Sequence, residues 1–179
     1  MCHPAAAHRG LHARALCESG AVFVTNHALS GALVGRLLPR RPATAFVVGL
    51  GSHLILDALP HWGCDVNRPG GNERFLAAAK RDGVLGLAAM AVATLAVERP
   101  ARVATLAAMT GAVLLDIDKP FLYFFGLNPF PASVRRLHSR IQRESPEGMP
   151  NELRFGFAFA AADVLAALTA HRRGTAPAH

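Results

Sequence analysis

Five apolar stretches alternate with short connections rich in arginine, proline and glycine, and this alternation constrains the fold more than any other feature of the chain. The stretches run from about Gly20 to Leu38, Ala43 to Leu59, Gly83 to Val97, Ala101 to Leu127 and Leu153 to Ala170. Such a pattern predicts an all-α protein, an antiparallel bundle of about five apolar helices embedded in a membrane. Ser133 to Ser145, which carries Val134, Leu137, His138 and Ile141 among four arginines, adds one basic amphipathic helix of interfacial character. Hydrophobic residues make up 51% of the chain and charged ones only 17%, an apolar balance above that of ordinary soluble domains. Most uninterrupted apolar runs nevertheless fall short of the ~20 residues that cross a bilayer core. A soluble bundle with an apolar core, or a half-embedded one, therefore remains open at this level.

With 179 residues, one domain is expected, here a single helical membrane domain over residues 20–170. Residues 1–19 read as a flexible leader without the apolar core of a signal peptide, and residues 171–179 as a disordered tail. The formal charge of +7 suits nucleic acid, anionic lipid or positive-inside topology. No zinc-finger spacing, aromatic RNA-binding motif or long basic helix is present, so a lipid membrane is the expected partner and nucleic acid is not. Three cysteines without a CxxC pair argue against a disulfide framework and for a reduced compartment. Cys64, close after His61, is a conceivable extra ligand or a buried bystander.

The chemistry gathers at the end of the second stretch, His53-Leu54-Ile55-Leu56-Asp57-Ala58-Leu59-Pro60-His61. On a helix His53 and Asp57 share one face, one turn apart, and His61 continues the row where Pro60 breaks it. Imidazole with carboxylate suits zinc, manganese or iron better than calcium. The same i,i+4 pair also occurs simply to satisfy two polar groups within a packed helix. In the fourth stretch Asp116 and Asp118 interrupt an apolar pattern just before Lys119-Pro120. Two carboxylates in such surroundings are costly unless paired or bound to a metal. Pro120 disfavours helical geometry at Lys119, so a helix end or kink there would turn both carboxylates to one centre.

Alternating helix directions supply a test. With the N-terminus on one side, His27, the His53–Asp57–His61 row, Asp116, Asp118 and His138 all fall on that same side. Nothing in their spacing along the chain requires this. Basic residues are in modest excess there too, which makes that side cytoplasmic if the chain spans a membrane.

Four pieces of the chain resemble a bacterial family of small, membrane-bound, predicted metal-dependent hydrolases (YdjM-like). "TNHALSGALVG" resembles that family's opening Thr-x-His helix, and "GLGSHLILDALPHW" its Gly-x-x-Ser-His-x-x-x-Asp helix. "LLDIDKP" is similar to its Pro-Asp-x-Asp-His element, and "RRLHSRIQ" to a degraded form of its His-x-x-x-His element. Leu115 stands in place of the proline, Lys119 where a His would follow the second Asp, and Gln142 at the second-His position. The resemblance implies a metal site of His27, His53, Asp57, Asp116 and Asp118 with His138; the spacing argument adds His61.

The function expected is a membrane-associated metal-dependent hydrolase that acts on a phosphoester or lipid-like substrate through metal-activated water. Zinc or manganese is the expected ion, Asp118 the spare carboxylate acting as general base, and Asp116 its neighbour in the reaction. The anionic phosphoester would meet the basic helix around Arg135 to Arg143. The alternative is a non-catalytic polytopic membrane protein in which the same histidines and aspartates are structural contacts between helices.

Overall fold

The structure is a computed structural model that describes residues 24–63 and 71–174. The leader expected over 1–19, Cys64 and the last five residues lie outside the described residues. Helix α1 spans Val24–Leu37, α2 Pro42–Asp57, α3 Gly71–Leu95, α4 Arg102–Val113, α5 Asp118–Phe125, α6 Ala132–Ile141 and α7 Met149–Gly174. Single 3-10 turns precede α4 (Arg99–Ala101), join α4 to α5 (Leu114–Ile117) and precede α7 (Pro146–Gly148). Two-residue strands, β1 (His61–Trp62) and β2 (Glu144–Ser145), pair in parallel. The all-α expectation therefore holds, apart from this small β pair.

Local chemistry explains most of the boundaries. Pro42 opens α2, where a missing N–H costs nothing and a fixed φ is already helical. The first amides of α1, at Val24 and Thr25, donate to the carboxylate of Asp82 on α3, which also accepts from the Thr25 hydroxyl at 2.8 Å. These orphan donors of a helix start are thus satisfied from a neighbouring helix. Gly126 ends α5 in the left-handed region at φ 67°, and its N–H returns to the Leu122 carbonyl.

Three boundaries differ from the sequence expectation. The third apolar stretch, expected from Gly83, is the second half of a continuous α3 that begins at Gly71. Helix α7 runs on to Gly174, past residue 170 where the helical region was expected to stop. The break in the fourth stretch comes at Leu114, not at Pro120. A helix continuing through residue 120 would drive the proline ring against the carbonyl of Asp116, four residues back, and forfeit that hydrogen bond. Breaking earlier puts Pro120 in the first turn of α5, where it costs nothing.

Helix α1 is the axis of the assembly, touched by α2, α3, α4 and α7. The contact register gives the directions. Ser30 faces Ser52, and Val34 and Leu38 pack near Ala45, so α1 and α2 are antiparallel. Gly31 meets Met109 and Gly35 meets Thr105, so α4 is antiparallel to α1 and parallel to α2. Thr25 with Asp82 and Ala32 with Ala93 set α3 parallel to α1. Asn26 with Glu152 and Arg36 with Asp163 set α7 parallel to it as well.

The interior is built of small residues: Ala28, Ala32, Ala45, Ala104, Ala108 and Ala112 are essentially inaccessible, with Met109 and Trp62 the large exceptions. Helix backbones touch directly as a result. A Cβ added to Gly49 on α2 would lie 2.1 Å from the Ala108 carbonyl oxygen of α4, and one on Gly111 would lie 2.2 Å from the Phe46 oxygen of α2. Large apolar side chains point outward instead, among them Val47, Ile55, Leu87, Val92, Phe157, Val164 and Leu165.

At the end of the bundle away from His27, Arg36 Nε donates to Asp163 Oδ1 at 3.1 Å, with both side chains largely buried. This is a polar contact between α1 and α7. Arg36→Met alone should cost about 3–5 kcal/mol by leaving a buried carboxylate unpaired, whereas Arg36→Met with Asp163→Leu should return to within about 1 kcal/mol of wild type. A double-mutant cycle on unfolding in detergent measures this, and additive losses would contradict it.

Candidate metal centre

Because α1 runs against both α2 and α4, its first turn meets their last turns. His27 is the fourth residue of α1, His53 and Asp57 occupy the final two turns of α2, and Asp116 sits in the 3-10 turn that follows α4. Helix α6 closes the group with His138. Its arrival is fixed by the backbone: Arg143 N–H donates to the Asp57 carbonyl at 3.0 Å, and β2 pairs with β1 just beyond Asp57.

Asp57 lies at the middle. Its Oδ2 is 3.1 Å from His53 Nε2 and 2.8 Å from His138 Nε2, and its Oδ1 is 3.3 Å from His27 Nε2. Asp116 approaches from the other side, with Oδ2 3.6 Å from His27 Nε2 and Oδ1 3.9 Å from His138 Nε2. His53 Nε2 and His138 Nε2 are 3.1 Å apart. Donor atoms of His27, His53 and Asp57, and likewise of His53, Asp116 and His138, fall within 4.8 Å of one another. All five residues are buried, His53 completely.

His53 Nδ1–H donates to the Ala112 carbonyl at 2.7 Å, since a carbonyl only accepts, and Nε2 is the nitrogen turned to the centre. This is the usual support of a metal-ligating imidazole. His27 Nδ1, by contrast, is buried without a hydrogen-bond partner among the described residues. Two carboxylates and three imidazoles, buried together, require positive charge among them, supplied either by protons on the rings or by a divalent ion. The donor set, nitrogen and carboxylate oxygen with no sulfur, fits zinc or manganese.

Of the seven residues singled out in the sequence, the structure thus brings together His27, His53, Asp57, Asp116 and His138. His61 and Asp118 stand outside both donor groups. His61 lies in β1, and its Nδ1–H donates to the Leu59 carbonyl at 2.9 Å. Asp118 is the first residue of α5, two positions beyond Asp116. Both nevertheless line a cavity of about 640 Å³ that also reaches His27, Asp57 and Asp116.

That cavity contains polar residues the sequence argument passed over. Glu152, near the start of α7, is buried on its wall, and its side chain and main-chain carbonyl both accept from Asn26 Nδ2. Asp82 and Glu144 line it too. Glu152 falls at the end of the loop-like "SPEGMPNE", where a glutamate is unremarkable. The available signal was Asn26, an amide inside an apolar helix and adjacent to His27.

Compared with protein-family models, with curated proteins and with solved structures, the chain matches none.

Proposed function

We propose that this chain is a membrane-associated, metal-dependent hydrolase in which His27, His53, His138, Asp57 and Asp116 hold a zinc or manganese ion. The observation that carries the reading is the convergence of three imidazole Nε2 atoms on two buried carboxylates, drawn from four separate elements. The residues that carry the resemblance to the YdjM-like hydrolases include all five. A bound divalent ion would lower the pKa of a water molecule and polarise a phosphoryl or acyl oxygen. Asp118, on the cavity wall and outside the donor groups, would accept the proton, and Asp116 would hold the attacking side of the centre in register. The substrate proposed is a phosphoester or other lipid-like ester.

Membrane association is supported by the inverted distribution of apolar side chains and by two stretches long and apolar enough to cross a bilayer, Arg99–Ile117 and Met149–Ala170. The membrane we propose is the bacterial inner membrane, in keeping with the resemblance, and the modest basic-residue excess supports a centre on its cytoplasmic side.

A second reading has a specific observation in its favour. The His138–Asp57 and His53–Asp57 distances of 2.8 and 3.1 Å are those of ordinary hydrogen bonds, as a purely structural polar cluster requires. Elemental analysis of detergent-purified protein separates the two. Near-stoichiometric zinc or manganese is expected in wild type and background levels in His53→Ala and Asp116→Ala, with hydrolysis of a chromogenic phosphodiester lost in parallel. Wild-type protein that binds no metal even after reconstitution would leave the structural cluster as the answer.

A further inference from the structure

The cavity reaches the candidate metal centre through His27, Asp57 and Asp116, and most of its wall area is apolar, supplied among others by Val84, Leu87 and Met90 of α3, Ile117, and Leu122 and Phe124 of α5. A volume of about 640 Å³ is that of a pocket for a sizeable organic ligand.

The mouth has a distinctive position. Val84, Leu87, Leu122 and Phe124 line the cavity and are also 68%, 69%, 49% and 46% exposed. Its rim is therefore part of the same outward-facing apolar surface that α3 and α5 present with Leu85, Phe121 and Phe125. Exposed Lys80 and Glu144 also line the cavity, so the apolar rim is one side of its opening. An apolar chain already in a bilayer would slide in without leaving hydrocarbon. Lys80 lies on the same wall, its Nζ 5.8 Å above the Phe124 ring, and puts one cation at the edge of the opening. The remaining charged lining is acidic: Asp82, Asp118, Glu144 and Glu152 join Asp57 and Asp116 on the wall.

We propose that the cavity takes a single-chain phosphoester amphiphile, entering sideways from the bilayer between α3 and α5, with its chain along Leu87 and Leu122 and its head at the centre. This rests on the metal reading above, because a phosphate would be repelled by those carboxylates unless a divalent ion joined Lys80 in holding it. The apolar wall supplies affinity and the centre selects the head. Affinity should therefore rise with chain length until the cavity is filled, by roughly fourfold per methylene, as each buried CH₂ contributes.

Trp62, the one tryptophan of the chain, is part of the cavity wall and reports occupancy directly. The full chain in phosphatidylcholine nanodiscs, with its metal content measured on the same sample, is titrated with chain-brominated alkyl phosphates and alkyl phosphocholines of four to twelve carbons. Bromine quenches tryptophan on contact. Alkyl trimethylammonium compounds of equal chain length control for partition into the bilayer. Quenching that strengthens about fourfold per carbon for phosphoester heads and is absent for trimethylammonium heads is the expected result. Leu87→Gln and Leu122→Gln should each weaken the dodecyl compound by tenfold or more and leave butyl phosphate unchanged. The alkyl phosphate and phosphocholine arms separate an anionic head from a zwitterionic one. Metal-loaded protein with no dependence on chain length, or equal quenching by the trimethylammonium series, overturns the amphiphile and leaves the metal site standing. Protein that takes up no metal overturns both.

Discussion

Asp57→Asn is expected to abolish metal binding while preserving the shape of the side chain. All three histidines approach Asp57 to within 3.3 Å, through Oδ1 to His27 and through Oδ2 to His53 and His138. Asparagine offers one acceptor in place of two, carries no charge, and turns an NH₂ towards nitrogens that must keep their lone pairs outward. Affinity for zinc should fall by at least about 100-fold, more than replacing an outer supporting group commonly costs. The readout is thermal unfolding with and without the ion. At a free concentration about 1,000 times the dissociation constant, zinc should stabilise wild type by about 4 kcal/mol, and the variant hardly at all. A purely hydrogen-bonded cluster predicts another pattern. Wild type would be indifferent to zinc, and the substitution would cost about 3–5 kcal/mol by unpairing a buried charge network.

Gly49→Leu and Gly111→Leu should each prevent assembly of the bundle, and even alanine should cost at least about 3 kcal/mol, the upper part of the usual range for overpacking. In both cases the new Cβ would meet a backbone oxygen of the partner helix at little over 2 Å, and backbone cannot rotate away as a side-chain tip can. Gly51, two residues from Gly49 on the same helix, has nothing within 4 Å of an added Cβ. Gly51→Ala should therefore be neutral or stabilise by up to about 1 kcal/mol through helix propensity. Melting temperatures of the three alanine variants in one detergent test the contrast directly. Similar values for Gly49→Ala and Gly51→Ala would show that α2 and α4 are not in backbone contact.

Much of the arrangement was legible in the sequence because it depends on length and direction. Apolar stretches joined by short turns must alternate up and down, and that alone places His27, His53, Asp57, Asp116 and His138 at one end of the bundle. What escaped notice depends on finer causes. The effect of Pro120 is felt at the carbonyl four residues earlier, so the helix breaks before Asp116, and only one of the two aspartates reaches the centre. The burial face of α2 is concealed because its large residues, Val47, Val48 and Ile55, face outward while Ala45, Gly49 and His53 face in. A pattern of large apolar residues therefore points to the wrong face. Glu152 is recognisable only through Asn26, a partner 126 positions away.

The bond from His53 to the Ala112 carbonyl joins the centre to the crossing of α2 and α4. Ala112 follows Gly111, and His53 lies one turn after Gly49, the two glycines at which the main chains of α2 and α4 approach most closely. The aim of the imidazole is thus set by the register of two main chains and not by side chains that can repack. A slip of one helix along the other by a single residue would rotate the ring off its target. Release of an ion held there and parting of the two helices would then amount to one event. The donor set should show no softened intermediate on heating, and the midpoint for losing the ion should coincide with the midpoint for losing the bundle.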